Sequence, residues 1–216
     1  MKTTRLTAII AVLFIAGFVQ VKAAEKEPPA LMSKEATIKP IVENGIYHQS
    51  WFGGTFLDMK EDLESASEAG KRFVVIFEQR GCIYCKKLHE EILAIKQVND
   101  YVRENFVVVQ LNLWGDREVT DFDGKVMSEK KLARRWGILN TPTAIFFTDD
   151  LTGKEGKFGR DLAAVPMFYP GAFGAYTTYD MFVWVATKGY ERDEAFQKFH
   201  ARRLKEAREA RAAKTM

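Results

Sequence analysis

Glu78-Gln79-Arg80-Gly81-Cys82-Ile83-Tyr84-Cys85-Lys86-Lys87 is the stretch on which the reading of this chain turns. It follows Phe73-Val74-Val75-Ile76-Phe77, a continuous apolar run of the kind that forms a strand buried on both faces. Gly81 breaks that strand, and Cys82 to Ile95 reads as a helix, continued by Val98 to Glu104. Cys82 is therefore expected at a helix N-terminus, where unpaired N–H groups and the helix dipole favour an anion. The thiolate is the reactive form of cysteine, so this position should activate Cys82. Cys85, one turn later, should be more buried and less acidic. A pair so arranged suits thiol–disulfide exchange: Cys82 attacks a partner disulfide, and Cys85 then attacks Cys82 and releases the reduced partner.

Other uses of the cysteines are weaker. The chain has only two, three positions apart. A bridge across so short a loop constrains the unfolded chain little and is a poor staple. A zinc site needs about four ligands. His89 could join Cys82 and Cys85 on one helix face, but no second Cys/His cluster completes a shell, so no metal is expected. Haem attachment would require His directly after the second cysteine, where Lys86 stands. His89 itself reads as a solvent-facing or packing residue without a catalytic role.

Composition frames this chemistry. With 216 residues, 47% hydrophobic, 28% charged and 16 Phe, the chain has material for one well-packed domain with additions. A net charge of +3 without a basic, aromatic-interleaved stripe gives no sign of nucleic acid. Lys2 and Arg5 precede an apolar run from Leu6 to Val21, and Val21-Lys22-Ala23 offers the small residues read by a signal peptidase. The expectation is a secretory signal over 1–23, cut after Ala23, and an exported mature protein. The alternative is a retained anchor, for which the run is short. The polar segment with Pro28, Pro29 and Pro40 reads as a flexible linker over 24–45.

Working outward, Ile46 to Trp51 reads as a short strand, Phe56 to Ala69 as a helix ended by Gly70, and Phe106 to Leu113 as a second buried strand. Trp114 to Lys125 reads as a loop, and Ser128 to Trp136 as a helix capped by Ser128. Thr143 to Thr148 reads as a third strand and Lys157 to Arg160 as an edge strand after a Gly153–Gly156 turn. Tyr179 to Thr187 and Glu191 to Arg211 read as helices separated at Gly189. The alternation implies an α/β fold with helices on both faces of the sheet.

Leu132-Ala133-Arg134-Arg135-Trp136-Gly137-Ile138-Leu139-Asn140-Thr141-Pro142-Thr143-Ala144-Ile145-Phe146-Phe147 closely resembles the stretch of thioredoxins that enters their cis-proline loop. It lies about 50 residues beyond the cysteines, where that family carries it. The resemblance, over roughly Phe56 to Thr187, implies a thioredoxin-like fold: a central mixed β-sheet flanked by helices, here with a C-terminal helical extension. It implies a cis Thr141–Pro142 bond facing Cys82, with backbone groups that pair with a partner chain as an added strand. Glu78-Gln79-Arg80-Gly81-Cys82, Trp114-Gly115-Asp116 to Gly124 and Tyr169-Pro170-Gly171 are further similar to the SoxW-like periplasmic thioredoxins of sulfur-oxidation systems.

The chain also departs from thioredoxin. Gly81 stands where thioredoxin has Trp, Ile83-Tyr84 replaces Gly-Pro, and Ile76 occupies the place of the buried Asp that assists proton transfer. Glu78 is the candidate substitute base, the alternative being an exposed acid. Tyr84, with Ile83, either shapes the partner groove or packs on the helix surface. The domain should span 46–190, with a charged helix over 191–216 that is a solvated face or touches anionic lipid or a partner. The resemblance implies a periplasmic reductant with no cofactor beyond the Cys82–Cys85 disulfide, fed by a CcdA- or DsbD-type membrane thiol transporter and acting on disulfides of periplasmic proteins. The alternatives are a DsbA-like disulfide donor, which normally carries an inserted helical domain absent here, and a non-catalytic binding module.

Overall fold

The computed structural model describes residues 35–214; the expected signal over 1–23 lies outside them. The chain enters as a hairpin, β1 (Ile41–Glu43) and β2 (Ile46–His48), paired antiparallel. The expected linker over 24–45 thus contains a paired strand. The turn is Asn44-Gly45, both with positive φ (50° and 79°), as a two-residue hairpin turn demands. Gln110 Nε2 donates to the Tyr47 carbonyl (2.6 Å) and ties the hairpin to the body.

Helix α1 (Met59–Glu68) starts later than the apolar pattern suggests, because Asp58 caps it: its carboxylate accepts from the N–H groups of Lys60 and Glu61. The next strand, β3 (Arg72–Glu78), is the buried run already identified. Beyond the cysteines come α2 (Ile83–Lys87) and a π-helical turn, Leu88–Ile92. The expected single helix ends there. Ile95 is extended and opens a separate α3 (Lys96–Asn105), and the Ala94 carbonyl freed by the break accepts from the N–H groups of Thr37 and Ile38. A segment distant in sequence satisfies the interruption, so local periodicity carries no sign of it.

Strand β4 (Phe106–Asn112) runs parallel to β3. The segment read as a loop contains β5 (Glu118–Thr120), which forms a hairpin with β6 (Val126–Ser128). Asp121 anchors it from inside: Oδ2 accepts from Trp136 Nε1 (3.1 Å) and Arg135 (2.7 Å), and Oδ1 from the backbone of Phe122 and Gly159. Helix α4 (Glu129–Arg135) follows. Ser128 occupies its N-cap position without making a side-chain cap bond. Glu129 instead is buried, accepting from the Asn112 N–H and from Arg117.

Strand β7 (Thr143–Phe147) is wholly buried. The expected edge strand at 157–160 is displaced: a 3-10 turn occupies Gly159–Leu162, and the edge strand is β8 (Ala163–Phe168), carrying Pro166 exposed on its free side. Helices α5 (Ala175–Ala186) and α6 (Phe196–Lys214) complete the described chain.

The main sheet has the order β4-β3-β7-β8, with β3 and β4 parallel and the other pairs antiparallel. Alternation along β3 builds two cores. Val74 and Ile76 face Leu88, Ile92, Val102 and Phe182 on one side; Phe73, Val75 and Phe77 face Leu63, Leu132 and Trp136 on the other. Side chains buried this fully contribute about 1.5–3 kcal/mol each. The C-terminal helix packs on α5 through a buried carboxylate: Asp180 accepts from Arg203 Nε (2.8 Å) and His200 Nδ1 (2.6 Å).

Candidate active site

Glu78 ends β3 and Thr143 begins β7, and these strands pair antiparallel with Phe77 opposite Thr143. The segment leaving β3 and the segment entering β7 therefore meet at one end of the sheet. Gly81 makes the turn with φ +76°, a left-handed conformation that the Trp of thioredoxin would resist. Cys82 is the N-cap of α2: its Sγ accepts from the Cys85 N–H at 3.0 Å and lies 3.4 Å from the Thr141 carbonyl oxygen. The Thr141–Pro142 peptide is cis. Cys82 and Cys85 are joined as a disulfide, Cys82 part-exposed and Cys85 buried. The asymmetry expected from the sequence is present: one sulfur can be reached and the other cannot.

Around Cys82 lies an open groove of about 480 Å³, bordered by Tyr84, Leu139, Thr141, Pro142 and Tyr169. Its rim is apolar. Ile83 and Leu139 are 74% and 83% exposed, and Tyr84 50%. Tyr84 thus stands at the groove and is not packed away. Trp114 is also exposed, and its Nε1–H donates to Gln79 Oε1 (2.6 Å), which places the start of the inserted hairpin beside the groove. Gly171 closes the far side: a Cβ there would meet the Tyr84 carbonyl oxygen at 2.0 Å, so only glycine fits. The neighbouring Pro170 carbonyl accepts from Thr178 Oγ1 (2.8 Å).

Glu78 is fully buried. The alternative of an exposed acid is overturned, because its position in β3 puts it on the inner face shared with Val74 and Ile76. Its Oε1 lies 2.9 Å from His89 Nε2, while its Oε2 has no hydrogen-bond partner among the described residues. His89 is likewise fully buried, which overturns the solvent-facing alternative and leaves the packing one. It comes four residues after Cys85, one helical turn, and so points inward as Cys85 does. Gln49 and Asn99, both buried, continue the contacts beyond it. Sequence reasoning missed His89, Gln49 and Asn99. The one available signal was the four-residue spacing of His89 from Cys85, which could have placed it on the buried side.

Comparison with known proteins bears on the central part of the chain. Residues 59–157 match a family model described as a thioredoxin-like domain. Curated proteins give no match. Among solved structures, a thioredoxin-fold protein from Helicobacter pylori aligns at 17% identity over 76% of this chain and 98% of its own, with a TM-score of 0.48. A thioredoxin from Thermus thermophilus aligns at 22% identity over 60% of this chain and 84% of its own, with a TM-score of 0.45. The fold is thioredoxin-like, a mixed sheet flanked by helices with an added C-terminal helix, and the matched segment carries both the Cys82–Cys85 pair and the Thr141–Pro142 loop.

Proposed function

We propose that this protein is an exported, periplasmic thiol–disulfide oxidoreductase that reduces disulfides of partner proteins. The observation that carries this reading is the placement of the two sulfurs. Cys82 Sγ caps a helix at the floor of an open groove, and Cys85 is enclosed beneath it. In the reduced protein the Cys82 thiolate attacks a sulfur of the partner's disulfide. A Cys82–partner bond forms, and the partner's other sulfur leaves as a thiolate. Cys85 then loses its proton to Glu78 and attacks Cys82 Sγ. The Cys82–Cys85 bond forms, the second partner sulfur departs, and the partner is reduced by two electrons while the protein is oxidised. Burial of Glu78 and its unpartnered Oε2 support its role as the base.

An extended partner segment fits the groove, laying apolar side chains on Ile83, Tyr84 and Leu139 and meeting the backbone of Thr141. The basic start and apolar run of the sequence support export. In the periplasm a reductant needs electrons from across the membrane. We assign that supply to a CcdA- or DsbD-type thiol transporter, and the acceptors to disulfides of a sulfur-oxidation or cytochrome c maturation system, on the SoxW-like features of the sequence.

Equilibration of the Cys82–Cys85 pair in glutathione and dithiothreitol buffers tests the direction. A potential near roughly −270 mV fits a reductant, and one near roughly −120 mV would make the protein a disulfide donor.

A further inference from the structure

The Glu78–His89 contact is the end of a longer chain of buried polar groups. Trp51 Nε1 lies 3.0 Å from Asn99 Oδ1, and Asn99 Nδ2 lies 2.7 Å from the Leu93 carbonyl and 3.0 Å from Gln49 Oε1. Gln49 Nε2 lies 3.1 Å from His89 Nδ1, and His89 Nε2 lies 2.9 Å from Glu78 Oε1. Each orientation is dictated by the one before. An indole N–H can only donate and a backbone carbonyl can only accept. Asn99 must therefore present Oδ1 to Trp51 and Nδ2 to Leu93, and so it donates to Gln49 Oε1. The Gln49 amide is thereby turned with Nε2 towards His89, and Nδ1 must accept. The proton of a neutral imidazole then sits on Nε2 and points at Glu78. An imidazolium would set Nδ1–H against the Gln49 N–H and break the chain.

We propose that Trp51, Asn99 and Gln49 form a directional latch that holds His89 as the neutral Nε2–H tautomer, making it a permanent donor to Glu78 Oε1 and leaving Oε2 to take the Cys85 proton. This rests on the oxidoreductase reading given above. His89 is a positioning residue in this scheme: it touches neither sulfur in the transfer and acts through Glu78. Among the described residues it is the one side-chain donor to that carboxylate, so it fixes Oε1 and leaves Oε2 as the open acceptor. Other side chains surround the pair. The Tyr47 ring stacks on His89 at 6.4 Å between centroids, the Phe52 ring meets it edge-on, Lys86 and Glu90 pair with each other at the surface, and Cys85 is the proton donor. Gln49 and Trp51 precede the segment matched to the thioredoxin-like model and Asn99 lies within it, so the latch joins the N-terminal part of the described chain to the matched domain.

Two readouts test the latch. The first is the imidazole nitrogen spectrum of the full-length, oxidised protein, recorded over roughly pH 5 to 8. A single neutral Nε2–H pattern for His89 throughout is expected, and Trp51→Phe, which removes the anchoring N–H, should admit the second tautomer or the cation. The second is the reaction of the reduced protein with 5,5′-dithiobis(2-nitrobenzoate), in which the first thiolate release reports attack by Cys82 and the second reports resolution by Cys85. His89→Leu should move the pH midpoint of the second release up by roughly one unit, about tenfold in rate on the acid limb, leaving the first unchanged. His89→Gln, which keeps an N–H for Glu78, should retain the wild-type midpoint. An Nδ1–H or imidazolium pattern at neutral pH in the wild type overturns the proposal, as does an unshifted midpoint in His89→Leu. If the wild type shows no second release, the oxidoreductase reading fails, and the nitrogen spectrum alone decides the latch.

Discussion

Asp62 offers a quantitative test of how burial sets stability in this protein. It lies in α1 with 9% of its surface exposed, and its Oδ2 has no hydrogen-bond partner among the described residues. Burial pushes its carboxyl from 3.8 up to about 6; a hydrogen bond from Thr55 opposes the shift, and the nearby charges of Asp58 and Glu61 add to it. A carboxyl raised in the folded state is a cost above that value, where the native protein must hold a charge the unfolded chain holds in water. As pH falls from about 6 to 3.8 the native protein binds a proton that the unfolded chain does not yet bind, and the cost disappears. The interval is worth at most about 3 kcal/mol, and about 2 kcal/mol once partial relaxation is allowed. Asp62→Asn should therefore be more stable than the wild type by about 2 kcal/mol at neutral pH, with the difference closing towards pH 4. Urea unfolding of both oxidised proteins across that range measures it, and all other titrating groups cancel in the comparison. A variant no more stable at neutral pH, or a difference that does not change with pH, would refute the reasoning.

Three further outcomes are expected from the same structure. Cys85→Ala should accumulate a covalent adduct with protein partners, visible on non-reducing gels and absent from Cys82→Ser; a protein that only binds through its groove would give no adduct. Gly171→Ala should push the chain off the Tyr84 carbonyl, costing about 2 kcal/mol in urea unfolding and slowing exchange with protein substrates more than with small disulfides. Asp180→Leu leaves the buried Arg203 guanidinium without this counter-charge and should cost about 3–5 kcal/mol, with earlier proteolysis within α6 as the local readout.

The parts of the site legible in the sequence are those written locally. The run 73–77, the break at Gly81 and the two cysteines lie on one continuous segment, and the approach to Pro142 is another. The first gives strand, turn and helix start in order and the second gives helix, turn and strand, so their meeting needs only a single strand pairing. Glu78 is identifiable from its nearness to Cys82, but its burial is not, because that depends on which face of β3 it occupies. The spacing of His89 from Cys85 hints at its burial, but the contacts that His89, Gln49 and Asn99 make are beyond reach for a different reason. Their partners lie 11, 40 and 50 positions away in the chain, and no periodicity links a loop after β2 to a turn after α2. The β5–β6 hairpin is hidden by its length, since three-residue strands show almost no alternation. The Asn44-Gly45 turn is legible as a residue pair, but the Pro-containing segment beside it favours the linker reading.

The pairing of Phe77 with Thr143 also separates two kinds of change. A slip of two residues between β3 and β7 would carry Pro142 about 7 Å from Cys82 and end the chemistry at once. The chain between the end of β4 and Pro142 is under no such restriction: it leaves the sheet after Asn112, makes the β5–β6 hairpin, and returns through α4 to β7. That excursion, which carries Trp114 to the groove, can thus lengthen or shorten while the sulfurs keep their setting. The sheet holds Cys82 and Pro142 together, while the excursion beyond β4 shapes the surface beside them.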